Sequence, residues 1–108
     1  MKIILSGKNI TLDEPLKVFV EEKIGGLGKL LGEGPIEARV EIGLPSKHHR
    51  SGRIYYAEVN LKIGGKLLRA TCQHEDMRNA IVDVKNELQR QIKKFKDKRK
   101  DLSRGPKN

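Results

Sequence analysis

The sequence predicts an α+β fold. It is a two-layer sandwich in the order β-α-β-β-β-α, with a four-stranded mixed sheet carrying two helices on one face. Three observations predict it. Residues 36–42 and 54–63 alternate apolar and polar side chains, the period of strands with one dry face and one wet face. Residues 13–31 and 76–102 instead repeat apolar side chains at steps of three and four, the period of helices that bury one stripe. A sheet that is wet on one side leaves only its other side for helices, so both must pack there.

The elements follow in order. Ile3, Ile4 and Leu5 form a short apolar run closed by Ser6-Gly7, read as a buried strand. Asp13 reads as an N-cap, with Glu14 and Pro15 in a first turn that tolerates proline. Leu16, Phe19, Val20, Ile24, Leu27 and Leu31 continue at helical spacing. Gly25, Gly26 and Gly28 interrupt this helix, each costing about 1 kcal/mol against alanine, so its second half is weak. Gly32-Glu33-Gly34-Pro35 ends it.

In the strand at 36–42, Ile36, Ala38, Val40 and Ile42 face in, and Glu37, Arg39 and Glu41 face out. Leu44 to Arg53 is a polar loop. In the next strand Tyr55, Ala57, Val59, Leu61 and Ile63 share the inner face, and Tyr56, Glu58, Asn60 and Lys62 the outer one. Gly64-Gly65 marks a two-residue hairpin. Its partner strand runs from Lys66 to about Gln73, with Leu68, Ala70 and Cys72 inward. Glu75 or Asp76 opens the last helix, and Ser103-Arg104-Gly105-Pro106 closes the ordered chain. A helix between the first two strands predicts a right-handed parallel crossover, and the last three strands should run antiparallel.

A chain of 108 residues is expected to form one domain, residues 1–102, with a short flexible basic tail at 103–108. Trp is absent, and Phe and Tyr number two each. The core is therefore built of Ile, Leu, Val and Ala, and aromatic platforms for single-stranded bases are scarce. A single cysteine, Cys72, excludes an internal disulfide and fits a cytoplasmic chain. The start, MKIILSGKNI, has too short an apolar run for a secretory signal. No run approaches the roughly 18 apolar residues of a membrane span.

Charge is where the sequence turns toward function. The net charge is +9, and from Arg78 to Asn108 there are 11 Lys and Arg against 4 Asp and Glu. Most of the excess therefore sits on the last helix. Met77, Ile81, Val84, Leu88, Ile92 and Phe95 form its apolar seam. On a wheel of about 100° per residue, Arg90, Lys93, Lys94 and Lys98 fall on faces turned away from that seam. A helix pinned to a core and positive on its back suits a polyanion, above all nucleic-acid phosphate. Charge runs are usually only a solvated face, but this excess is one-sided and local.

Other chemistry has less support. Tyr56 on the open sheet face could stack on a base, although an ordinary cross-strand aromatic is the stronger reading. Lys47-His48-His49-Arg50 is equally a phosphate contact or a polar loop. His48, His49, Cys72 and His74 lack the spacing of a zinc site, and no metal is expected. Cys72 is in phase with the core and reads as a buried thiol; His74 sits beside an N-cap and reads as structural. No Walker loop, G-x-S-x-G or H-E-x-x-H is present, so neither catalytic residues nor a cofactor is expected. Glu37, Glu41 and Glu58 share the open sheet face with Arg39, Lys62 and Arg69, an ordinary cross-strand charge lattice.

An ordered set of short motifs adds a resemblance. Ser6-Gly7-Lys8-Asn9-Ile10 precedes a helix containing Val20-Glu21-Glu22-Lys23-Ile24. Gly64-Gly65-Lys66-Leu67-Leu68-Arg69-Ala70 follows, then His74-Glu75-Asp76-Met77, Ala80-Ile81 and Arg90-Gln91-Ile92-Lys93-Lys94-Phe95-Lys96. In this order and spacing, from residue 2 to about 100, the chain resembles the ribosome hibernation-promoting factor family, also called ribosome-associated inhibitor or subunit-interface proteins, in a short form.

The resemblance implies a layout similar to double-stranded RNA-binding domains and binding to small-subunit ribosomal RNA in the decoding channel. Such a protein competes there with transfer and messenger RNA, inhibits translation and preserves idle ribosomes under stress. Carried over, the RNA contacts are Arg90 and Lys94, helped by Lys93 and Lys98, with Lys23 of the first helix. Relatives often carry lysine where this chain has Glu87. That carboxylate can pair with Arg90 at i, i+3 and weaken the local field, with Lys85 compensating. Two other readings stand beside this one: a generic double-stranded RNA-binding module, and a peripheral protein laying its basic helix on anionic lipid.

Overall fold

A computed structural model describes residues 1–32, 36–45 and 54–103, with side chains as far as Lys98. The Lys47–Arg53 stretch, the Glu33-Gly34-Pro35 helix stop and the tail after Ser103 lie outside the described residues. The elements are β1 (Lys2–Lys8), α1 (Glu14–Gly25), α2 (Gly28–Leu31), β2 (Ile36–Gly43), β3 (Tyr55–Ile63), β4 (Lys66–His74) and α3 (Met77–Ser103).

The sheet has the order β1-β2-β3-β4, with β1 parallel to β2 and the other pairs antiparallel. Ile3 and Leu5 pair with Ala38 and Val40, which puts them on the inner face, and Ile4 pairs with Arg39 on the open one. At the end of this pair, a Cβ on Gly43 would lie 2.1 Å from the Lys8 carbonyl oxygen, so only glycine fits. Asn9 takes φ 58° there, and its Nδ2 donates to the Leu44 carbonyl at 2.8 Å. Gly64 turns the β3–β4 hairpin at φ 57°, a region open to glycine.

The first helix differs from the expectation of one weak helix reaching Leu31. It starts as expected, with the Asp13 side chain accepting from the Leu16 N–H at 2.9 Å. It then ends at Gly25, and the chain re-forms as the single turn α2. Leu27 N–H bonds back to Ile24 and Leu30 N–H to Leu27, three residues each, which tightens the turn. The break keeps Leu27 at 1% exposure in the core. The backbone stays right-handed helical through the break, with Gly26 at φ −59° and Leu27 at φ −65°.

Both longer helices cover the inner sheet face. Leu16, Val20 and Ile24 of α1 and Ile81, Val84, Leu88 and Ile92 of α3 close over Ala38, Val40, Ile42, Ala57, Val59, Leu61, Leu68 and Ala70. Ala80 is also fully buried, and the seam ends at Met77 and Phe95 are half-buried. Cys72 is half-buried at the margin of this core, not inside it. Among the described residues no polar side chain is buried.

Candidate nucleic-acid interface

The start of α3 is fixed before its charges are placed. The Asp76 carboxylate accepts from the N–H groups of Arg78 at 2.8 Å and Asn79 at 3.2 Å. His74 Nδ1 accepts from the Asp76 N–H at 2.9 Å, a structural role. From this cap the buried seam sets the rotation of everything beyond it.

Arg90, Lys93, Lys94 and Lys98 are all exposed on the solvent side of α3. Lys85 and Lys23 are not part of that group. Lys85 lies about 60° from Leu88 around the helix, on the flank opposite Lys94 and Lys98. It is half-buried, and its Nζ donates to Asn86 Oδ1 at 3.3 Å. Its flank faces α1, where Arg78 Cζ rests 4.9 Å from the centroid of the Phe19 ring. Lys23 Nζ lies 5.6 Å from the same centroid. Arg78 and Phe19 were not singled out by the sequence. Their helical phases could be read there, but which flank of α3 meets α1 depends on packing.

The other flank meets β4, the sheet edge. Gln91 Nε2 donates to the Arg69 carbonyl at 3.0 Å and to Glu87 Oε1 at 3.2 Å. Arg90 grips the same carboxylate with two hydrogen bonds, Nη2 to Oε1 at 2.6 Å and Nε to Oε2 at 3.1 Å. Hydrogen bonds from Arg90 and then Gln91 hold the Glu87 carboxyl down at about 2. The same hydrogen bond from Glu87 raises the Arg90 guanidinium further above its ordinary value. Arg69, Thr71, Asn86, Glu87, Arg90 and Gln91 line an open groove between helix and sheet edge. Burial, with Asp83 and Glu87 nearby, pushes the Cys72 thiol up, away from a reactive thiolate.

The open sheet face carries charges of both signs. Arg69 pairs with Glu58 across strands at 2.6 Å, but Arg39 reaches Glu37 on its own strand at 3.4 Å. Lys62 is opposite Glu37 in register and forms no ion pair among the described residues, so the expected cross-strand lattice holds only in part. Tyr56 donates its hydroxyl to Glu41 at 2.6 Å, and Glu41 lies directly across from Glu58. Burial, the Glu41 hydrogen bond and both carboxylates push the Tyr56 hydroxyl up to about 12.

No three His, Cys, Asp or Glu side chains among the described residues gather as metal ligands. No described helix is long and apolar enough to cross a membrane.

The chain is similar to three curated proteins named ribosome hibernation promotion factor. It is 35% identical to that of Deinococcus radiodurans over 94 residues, 85% of this chain and 47% of the relative. It is 34% identical to that of Bacillus subtilis over 91% of this chain and 50% of the relative, and 30% identical to that of Lactococcus lactis over 100% and 55%. The chain thus spans about half the length of these relatives. Its fold matches the crystal structure of the Thermus thermophilus Protein Y N-terminal domain, with a TM-score of 0.75, 27% identity and coverage of 88% of this chain and 99% of that one. It also matches a ribosomal subunit interface protein from Coxiella burnetii with a TM-score of 0.71 at 18% identity, covering 90% and 99%, a likeness of fold. The family model described as Sigma 54 modulation protein / S30EA ribosomal protein matches residues 3–100. With that match running from β1 into the exposed cations of α3, the chain belongs to the Sigma 54 modulation protein / S30EA ribosomal protein family.

Proposed function

We propose that this chain is a ribosome-binding hibernation factor of the cytoplasm. It lays the solvent side of α3 against ribosomal RNA in the decoding channel of the small subunit and holds off messenger and transfer RNA. The observation that carries this reading is the set of exposed cations Lys93, Lys94 and Lys98 on a helix locked to the core by its other face. None of the three forms an ion pair among the described residues. Exposed cations without ion pairs along one helix, beside the Arg90 fork, suit the phosphates of an RNA backbone. Such contacts position a protein without reading sequence, so shape and location on folded RNA supply the selectivity. The names of the relatives point the same way.

The test is co-sedimentation with ribosomes and separated subunits in a sucrose gradient at two salt concentrations, with transfer RNA as competitor. Binding to the small subunit that transfer RNA displaces supports the reading. The folded Lys93→Glu/Lys94→Glu variant should lose that binding. Equal binding to any RNA duplex would instead make the chain a generic RNA module, and no association at all would sink the proposal.

A further inference from the structure

Two aromatic side chains sit in opposite electrostatic settings. The ring of Tyr56 lies beside Glu41, which takes its hydroxyl hydrogen bond, and Glu58 lies across from Glu41. An RNA strand that brought a base to this ring would bring its phosphates against two carboxylates. Phe19 is the reverse case. Its half-buried ring is held by α1 against the core and carries two cations, Arg78 at 4.9 Å and Lys23 at 5.6 Å.

Neither cation forms an ion pair among the described residues, in contrast to Arg90, and Glu22, one turn along α1, takes neither. The Asp76 cap fixes the backbone of Arg78, and its side chain is exposed. A guanidinium resting on a ring keeps its N–H edge for phosphate and offers a planar cation on which a base can stack.

We propose that Arg78, Phe19 and Lys23 form a second RNA contact, one that takes a single unpaired nucleotide. The base stacks on the guanidinium supported by Phe19, and Lys23 holds the phosphate beside it. The site rests on the reading of this chain as an RNA binder. It adds what the phosphate contacts along α3 do not supply, a preference for unpaired over paired RNA.

The test uses a ten-nucleotide single strand of mixed pyrimidines, whose bases stack weakly, with one central 2-aminopurine, whose fluorescence falls when the base stacks. Its duplex with the complementary strand serves as control. The wild-type protein should quench the single strand and leave the fluorescence of the duplex, already low because its bases are stacked, unchanged. Arg78→Lys, which keeps the charge and loses the plane, should abolish the quench and weaken single-strand binding by at least about fivefold. Phe19→Leu should do the same, with its melting temperature recorded to separate lost packing from lost stacking. Lys93→Glu/Lys94→Glu should weaken binding yet quench normally at saturation.

An Arg78→Lys protein that quenches and binds as wild type would overturn the proposal and leave the contact as a staple between α1 and α3, whatever its melting temperature. A wild-type protein that never quenches would also overturn it. Quenching without ribosome co-sedimentation would overturn the ribosome reading alone.

Discussion

Arg90 is held by Glu87, one turn before it on α3, through two hydrogen bonds of 2.6 and 3.1 Å. This is the forked geometry a phosphate would take. The residue best suited to grip RNA is therefore occupied by a carboxylate of its own helix, which Gln91 steadies from the β4 edge. Glu87→Gln should free the fork and remove a repelling charge, tightening ribosome or RNA binding by about two- to fivefold, the range for an exposed ion pair. Titration by fluorescence anisotropy checks this. Unchanged or weaker binding would mean that Arg90 is not a phosphate contact.

The same pair predicts a pH response. The Glu87 carboxyl lies at about 2 against an ordinary 4.5, so the unfolded chain takes up its proton first as pH falls. The stabilisation is present above about pH 4.5 and is lost as pH drops toward 2. A carboxyl-carbon NMR titration should place the Glu87 midpoint near 2. The stability advantage of wild type over Glu87→Gln should be full at pH 7 and shrink below pH 4. A midpoint near 4.5 would show the pair to be absent in solution.

Leu88 has 0% exposure at the centre of the α3 seam. Leu88→Ala should cost about 2–5 kcal/mol, transfer energy plus cavity, in urea unfolding. Exposed Lys94→Ala should stay within about 0.5 kcal/mol. If the two substitutions cost the same, the seam does not anchor α3.

Much of this was readable in the residues. Strict alternation in β2, β3 and β4 set which side chains face the core, because a shift of one residue would bury Glu37 and Glu58. The Asp13 cap and the α3 seam were equally plain, as local patterns of residue type. The break between α1 and α2 was half visible: the glycines marked the place, but that Leu27 returns to the core is decided by packing. At the candidate site, the exposure of Arg90, Lys93, Lys94 and Lys98 followed from helical phase. That Lys85 falls on the opposite flank also followed from phase; that this flank meets α1 and its Lys23 did not, since phase within one helix says nothing of which neighbour lies beside it. The Glu87–Arg90 pair could be foreseen from spacing alone, whereas Gln91 reaching the Arg69 carbonyl joins residues of two elements.

Ile92 is the last described residue of α3 with a fully buried side chain, and the helix continues to Ser103. The described side chains past Phe95, those of Lys96, Asp97 and Lys98, are exposed, so this stretch is extended by propagation from the packed turns rather than by burial. Lys94 and Lys98, at i, i+4, oppose it by mutual repulsion. A polyanion lying along these lysines would turn that repulsion into shared attraction. Ordering of the helix end and capture of the polyanion are then two readings of one equilibrium, each drawing the other forward.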